Sequence, residues 1–163
     1  RVLFRSHLRL ANVPPQNGVF MPNGGVGRLG EMQAFTTTYL DANGWTDVRA
    51  ANFLMNVGLQ GSGLSVVYYR DSNRLYVSND DGSGWVGWCT PGMAQTVTNR
   101  YVSVDCGRTA VTGQADTLTI QWSITPLTPF SGSLGQYQVY LRVLDMSGLR
   151  SPWTLSGVWT LED

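Results

Sequence analysis

The chain has no lysine and few charged residues of any kind. Of its 163 residues 13% are charged, and 11 arginines balance 11 acidic residues, so the formal net charge is zero. Soluble domains usually carry about twice this share of charged residues. Nucleic-acid-binding domains have a strongly basic balance, so nucleic acid is not an expected partner.

Long apolar segments are also missing. No run approaches the roughly 20 apolar residues that a membrane-spanning helix needs, so no membrane span is expected. The first residues lack the basic, apolar and small-residue order of a signal peptide, so we interpret the chain as a mature protein. They also lack the apolar helix that forms the core of type IV pili, which argues against a pilin.

Histidine is nearly absent, and this removes several kinds of catalysis. His7 is the single histidine and lies in the N-terminal segment, so Ser-His-Asp and Cys-His mechanisms lack a rigidly held base. Glu31 and Glu162 border the predicted domain, and most aspartates lie in turn sequences, so paired carboxylates flanking a cleft are not expected. Phosphate-binding glycine loops and zinc ligand sets are missing too. We therefore expect no enzyme and no cofactor.

The cysteine content is two residues, Cys89 and Cys106. A bridge between them would close a loop of about seventeen residues and stabilise the fold by roughly 3 kcal/mol in an oxidising compartment. Two free buried thiols are the alternative. Abundant Ser, Thr, Gly, Asn, Tyr and Trp are typical of extracellular β-domains, so we predict the disulfide and an extracellular or cell-surface location.

Period-two alternation dominates what the sequence does contain. Leu118, Ile120, Trp122 and Ile124 alternate with polar residues, which predicts a half-buried strand with Trp122 in the core between two sheets. No helical period persists for three turns. Turn residues end each predicted strand. The predicted strands are 32–40, 47–57, 64–70, 74–78, 85–89, 96–106, 116–125, 137–144 and 157–161.

Short strands at intervals of about ten residues, without intervening helices, indicate an all-β fold. We predict an immunoglobulin-like β-sandwich of seven to nine strands, with a jelly roll as the alternative. The length suits one domain. Residues 1–30 are expected to form an extended N-terminal arm and linker, and residues 31–163 the sandwich.

Four stretches of the chain carry a family resemblance. They are TTYLDANGWTDV at 37–48, VYYRDSNRLYVSNDD at 67–81, DTLTIQWSI at 116–124 and VYLRVLDMSGLRSPW at 139–153. Over about residues 30–161 the chain resembles an immunoglobulin-like repeat of large secreted or surface proteins of environmental bacteria. Such repeats are similar in plan to fibronectin type III and cadherin-like modules. The resemblance implies a spacer, adhesion or structural role, and it leaves the first thirty residues unexplained.

The segment 1–10 alternates like a strand but is separated from the domain by Pro-, Gly- and Asn-rich sequence. Val2, Phe4, Leu8 and Leu10 share one face. Such a strand needs a sheet edge, which another molecule can supply. Burying four apolar side chains at roughly 1.5–3 kcal/mol each would suffice for a stable contact. The alternatives are pairing with its own sandwich or a disordered leader.

Five tryptophans fall in or beside loops and strand ends: Trp45, Trp85, Trp88, Trp153 and Trp159. Flat aromatic rings bind the apolar faces of sugars, and they also form protein interfaces. Large aromatics in a sandwich commonly plug the ends of the core instead. The sequence leaves these three interpretations open, with core plugging favoured for any single tryptophan.

Hard-oxygen ligands cluster in the DANGWTD sequence. Asp41, Asn43 and Asp47 lie there, Asn79, Asp80 and Asp81 lie in a second loop, and Asp145 lies in another. Calcium prefers such ligands, but their spacing does not match the EF-hand. Because the same residues suit an ordinary β-turn, we favour the turn and keep calcium as the alternative.

Together these features predict a non-enzymatic extracellular structural subunit. It would self-assemble into a filament or surface matrix by exchange of the N-terminal strand, with further copies of itself as partners. The alternative is a carbohydrate-binding or adhesive module of a larger secreted protein, whose partner would be a polysaccharide.

Overall fold

In the computed structural model, which describes residues 11–60 and 62–163, two β-sheets pack face to face. The expected all-β sandwich is therefore confirmed, and its plan is consistent with the immunoglobulin-like class. Helical structure in these residues consists of two three-residue 3-10 turns, Trp45–Asp47 and Phe130–Gly132. None of the described residues form a helix that is long and apolar enough to cross a membrane.

The described residues form thirteen strands, divided between the two sheets. In chain order they are β1 (Gln16–Met21), β2 (Gly25–Arg28), β3 (Gln33–Leu40), β4 (Val48–Asn56), β5 (Leu64–Tyr69), β6 (Arg74–Ser78), β7 (Trp85–Cys89), β8 (Thr96–Thr98), β9 (Val102–Asp105), β10 (Ala110–Gln114), β11 (Thr117–Pro126), β12 (Gly135–Asp145) and β13 (Thr154–Glu162). The first sheet has the order β1-β3-β11-β9-β8, with β10 also paired to β11. The second sheet has the order β2-β13-β12-β4-β5-β6-β7. Neighbours are antiparallel except β2 and β13, which are parallel.

Residues 16–28, expected to be part of the linker, instead form two strands of the sandwich. β1 joins the first sheet and β2 the second, so the chain crosses between the sheets here. Phe20 is buried and packs against Phe35 and Phe53, with ring centroids 5.9 and 5.7 Å apart. The pairing of β1 with β3 shifts register between Asn17 and Phe20. This irregularity interrupts the alternation of inward and outward side chains along β1. The strand could therefore not be predicted from the sequence pattern.

The predicted strand 96–106 is also different in the structure. It is divided into β8 and β9 by a turn at Asn99. The buried Asn99 side chain accepts hydrogen bonds from the backbone N–H groups of Tyr101 (2.8 Å) and Val102 (2.9 Å). Asn side chains favour such local turns over a continuous strand. Strand β10 was not predicted.

The centre of the core agrees with the sequence interpretation. Trp122 is fully buried between the sheets, and its indole N–H donates a hydrogen bond of 2.9 Å to the Thr37 hydroxyl. Along β12 the buried and partly exposed positions alternate from Tyr137 to Asp145. The period-two pattern therefore identified the inward faces correctly in this strand and in β11.

The predicted disulfide between Cys89 and Cys106 is present. Cys89 ends β7 in the second sheet, and Cys106 directly follows β9 in the first sheet. Both residues are completely buried, and 17 positions separate them in the sequence. The bond therefore connects the two layers at the side of the sandwich opposite β1 and β2.

Candidate functional site

Several loops meet at one end of the sandwich, which we call the entry end. It is formed by residues 11–15, 41–47, 115–116 and 146–153. The backbone N–H of Val13 donates to the Asn43 side-chain oxygen at 2.9 Å, and the Asn43 amide donates to the Ala11 carbonyl at 3.2 Å. The Asn12 amide donates to the Asp145 carboxylate at 3.0 Å. Three contacts thus attach the segment that precedes β1 to the loops at this end.

The last residues of the chain lie at the other end of the sandwich. Strand β12 runs between the two ends, because its last residue, Asp145, is paired with Val48, whereas its first residue, Gly135, is paired with Leu161. The Leu29 N–H donates to the Glu162 carbonyl there at 3.1 Å. Residues 11 and 163 are therefore separated by the length of the domain.

The proposed assembly residues Val2, Phe4, Leu8 and Leu10 lie outside the described residues, as does His7. Ala11, the first described residue, lies at the entry end.

Three carboxylates converge at the entry end. Asp41 directly follows β3, Asp47 ends the first 3-10 turn and Asp145 ends β12. One oxygen from each lies within 4.8 Å of the oxygens of the other two. Asp41 is 1% exposed and Asp145 is fully buried, whereas Asp47 is half-buried. We call these three residues the carboxylate cluster.

The hydrogen bonds of the cluster are unevenly distributed. Asp145 accepts bonds of 2.9 Å from the backbone N–H groups of Ser147 and Leu149 on one oxygen and is bound by Asn12 on the other. Asp41 accepts one bond on Oδ1, from the Asn43 N–H at 2.8 Å. Within the described residues, Oδ2 of Asp41 and Oδ2 of Asp47 are buried and have no partner.

Burial is the main cause that raises the pKa of the Asp41 carboxyl above its usual value. The hydrogen bond from the Asn43 N–H acts in the opposite direction, and the nearby carboxylates of Asp47 and Asp145 raise this pKa further. In the part of the chain that the structure describes, the ion pairs are Arg49–Asp71 at 3.5 Å and Arg108–Asp105 at 3.8 Å. Neither pair includes a member of the cluster.

The structure groups the calcium candidates differently from their order in the sequence. Asp41 and Asp47 come together as their shared loop suggests, but the third oxygen donor is Asp145 from β12. The Asn43 side chain is occupied by residues 11 and 13. Only the pairing of β12 with β4, which places Asp145 opposite Val48, brings the third carboxylate to this loop.

A second candidate surface is the outer face of the second sheet, which we call the outer aromatic face. Tyr69, Tyr76, Trp85, Trp88 and Trp153 line it. Tyr76 contacts both Tyr69 and Trp85, with ring centroids 5.6 and 5.8 Å away. Trp85 and Trp153 border a shallow cavity of about 220 Å³.

Two arginines stack on this face, and sequence reasoning did not identify them. The Arg74 guanidinium lies 3.9 Å from the ring centre of Trp88, and that of Arg142 lies 4.5 Å from the ring centre of Trp153. Such stacking holds the rings in place while leaving part of their surface accessible. The alternating outward position of Arg142 in β12 was the available signal.

The remaining two tryptophans do not belong to this surface. Trp159 is 1% exposed and packs edge-on against Phe35, so it lies in the core, the position favoured above for any single tryptophan. Trp45 packs over Gly113 of β10, where a Cβ atom would come within 2.0 Å of the indole ring. Its position is explained by this packing between a loop and an edge strand.

Comparison of the sequence with models of known protein families finds no match, and comparison with curated proteins finds none either.

Proposed function

We propose that the protein is a non-enzymatic extracellular structural subunit that joins its neighbours through residues 1–10. The observation that carries the proposal is the attachment of residues 11–13, which directly follow residues 1–10, at the entry end. Strand β12 runs from this end to the opposite end of the sandwich. A strand that leaves one end of each subunit makes head-to-tail contacts, which grow into a filament unless they close into a ring.

The first ten residues have the reach that this contact needs. An extended segment of that length spans about 33 Å. Its apolar residues Val2, Phe4, Leu8 and Leu10 would pack against apolar side chains of a neighbouring subunit, while its backbone would pair with a sheet edge. The disulfide supports an oxidising, extracellular location.

Strand β7 has the features of the receiving edge. Among the described strands it pairs with β6 alone. Its side chains Trp85, Val86 and Trp88 are 47, 50 and 44% exposed. Edge strands of stable monomers are usually protected by charge or proline, and β7 carries neither. An apolar arm laid beside β7 would cover these side chains and satisfy its free backbone groups.

The central experiment compares the intact chain with a chain that lacks residues 1–10, by gel filtration and negative-stain electron microscopy. We expect polymers from the intact chain and monomers from the truncated one. Phe4→Ser with Leu8→Ser should also give monomers, because it removes the apolar face of the arm. Arg5→Ser with Arg9→Ser changes the opposite face and is the matched control, which should still assemble.

A pair of edge variants tests the receiving strand. Val86→Lys places a charge on β7 and should block growth, whereas Val19→Lys on the equally exposed edge strand β1 should not. An intact chain that stays monomeric at every concentration, or polymers that survive the truncation, would refute assembly through the arm. Normal growth of Val86→Lys would refute β7 as the receiving edge.

A carbohydrate-binding or adhesive module is the second candidate, and the outer aromatic face favours it. Exposed aromatic rings beside polar groups are the usual means of binding sugar rings. Under this hypothesis the intact chain and the chain that lacks residues 1–10 would both be monomers. Both would be retained on an insoluble polysaccharide. Trp153→Ala should then abolish retention, and Leu155→Ala, an exposed apolar control on the same sheet, should not. Polymers without retention would instead support the structural subunit.

A further inference from the structure

We infer that Asp41, Asp47 and Asp145 form a binding site for a divalent cation, and that the cation is calcium. This inference does not depend on the arm or on assembly. It concerns the entry end of a single chain.

The geometry of the donor atoms fits a calcium ion. Calcium ligands lie about 2.3–2.6 Å from the ion, so any two of them are at most about 5 Å apart. The three carboxylates meet this condition, since one oxygen of each lies within 4.8 Å of the others. They come from one loop and one strand end, which the pairing of β12 with β4 holds together.

Two carboxylate oxygens of the cluster have no hydrogen-bond partner among the described residues. Oδ2 of Asp41 and Oδ2 of Asp47 accept no hydrogen bond from the described residues and are inaccessible to solvent, and Asp41 as a whole is 1% exposed. A buried polar atom without a partner is costly, and a buried carboxylate oxygen is more costly still. A bound cation would satisfy both oxygens at once.

The charge of the cluster also favours a bound cation. Three carboxylates at this separation repel one another, and no arginine of the described residues forms an ion pair with them. Buried charges are normally paired or coordinated to a metal. A divalent cation offsets most of the cluster's negative charge in one step.

The identity of the donors selects calcium among the common cations. All three are carboxylate oxygens, which are hard ligands, whereas zinc sites usually contain Cys or His. Both cysteines are in the disulfide. Calcium also accepts carbonyl oxygens and water to complete six to eight ligands in an irregular loop, whereas magnesium demands a more regular octahedron.

Occupation of the site would connect three parts of the chain. It would join the loop between β3 and β4 to the end of β12, and through the bond from Asn12 to Asp145 it would reach the segment before β1. The cation would therefore stiffen the entry end.

The test is calcium binding by the intact chain after treatment with EDTA, measured by calorimetry and by thermal unfolding. We expect one calcium ion per chain. At calcium concentrations about a hundred times Kd, Tm should rise by about 5–10 °C. Magnesium should bind at least about tenfold more weakly, because the site is built from irregular loops.

Three variants show whether the cluster is the site. Asp145→Asn and Asp47→Asn should each weaken calcium binding by at least about tenfold, because each removes a charged ligand. Asp116→Asn is the matched control, since Asp116 is an exposed carboxylate at the same end and should leave binding unchanged. Asp145 also orders its own loop, so Asp145→Asn could fail to fold. In that case Asp47→Asn tests the site by itself.

The inference is overturned if the wild-type chain binds no calcium and has the same Tm in calcium and in EDTA. It is also overturned if Asp47→Asn binds calcium like the wild type. A calcium-bound chain that remains monomeric would leave the site in place and contradict only assembly.

Discussion

At the scale of single residues, burial is the main cause that raises the pKa of Tyr39 and of Asp41. The hydroxyl of Tyr39, in β3, donates a hydrogen bond of 2.9 Å to the Asn52 carbonyl of β4, so it connects the two sheets. Tyr39 is fully buried, and burial raises the pKa of its phenol well above the usual range.

Because Tyr39 is buried, the protein should lose stability in alkali. A tyrosine in the unfolded chain ionises near pH 10, whereas folded Tyr39 keeps its proton. The unfolded state therefore binds fewer protons, and the free energy of unfolding should fall as pH rises above about 10. Tyr39→Phe should cost about 1 kcal/mol at neutral pH, through the lost hydrogen bond. It should also reduce the decline of Tm in alkali.

The measurement is Tm as a function of pH, with Tyr76→Phe on the outer aromatic face as the control for loss of a phenol. The chain has no lysine, whose side chain would titrate in the same range. If Tyr39→Phe declines as steeply as the wild type, the burial argument is wrong.

At the scale of elements, the two sheets are held together differently at their two sides. On one side the chain crosses from β1 to β2, and on the other side the disulfide connects β7 to the residue after β9. Between them lies a core of interlocking rings that includes Phe35, Phe53 and Trp122.

Removal of the disulfide should destabilise the protein. Cys89→Ala with Cys106→Ala should lower the free energy of unfolding by about 3 kcal/mol, which corresponds to about 6–12 °C in Tm. Alanine keeps both buried positions apolar. Calorimetry of the wild type with and without a reductant gives the comparison, and the double variant should not respond to the reductant. An unchanged Tm on reduction of the wild type would contradict the prediction.

At the scale of the whole molecule, the entry end and the opposite end are separated by the length of the longest strand. Strand β12 has 11 residues, which corresponds to about 36 Å. A subunit that contacts its neighbours head-to-tail therefore occupies slightly more than this distance along an assembly.

This length predicts the repeat of the proposed filament. Subunits stacked end to end should give an axial repeat of about 40 Å, the strand length plus the loops at each end. Power spectra of negatively stained filaments measure the repeat directly. A repeat near half this value would mean that the subunits lie side by side, and head-to-tail stacking through the entry end would then be wrong.

The alternation of apolar residues was sufficient to predict much of the fold. It identified the inward faces of β11 and β12 and placed Trp122 between the sheets, because a strand's side chains point to opposite faces in turn. It failed at β1, where a register shift interrupts the alternation, and at residues 96–106, where Asn99 divides the strand.

The candidate sites could be predicted much less well from the local sequence pattern. The sequence by itself determined a two-layer β fold, a pair of cysteines able to bridge it and a loop rich in carboxylates. Only the tertiary structure decided that Asp145 completes the cluster of Asp41 and Asp47, and that Trp159 is buried whereas Trp85 is exposed. The physical reason is that alternation specifies which face of a strand is apolar, whereas the neighbours of a strand depend on long-range packing of both sheets.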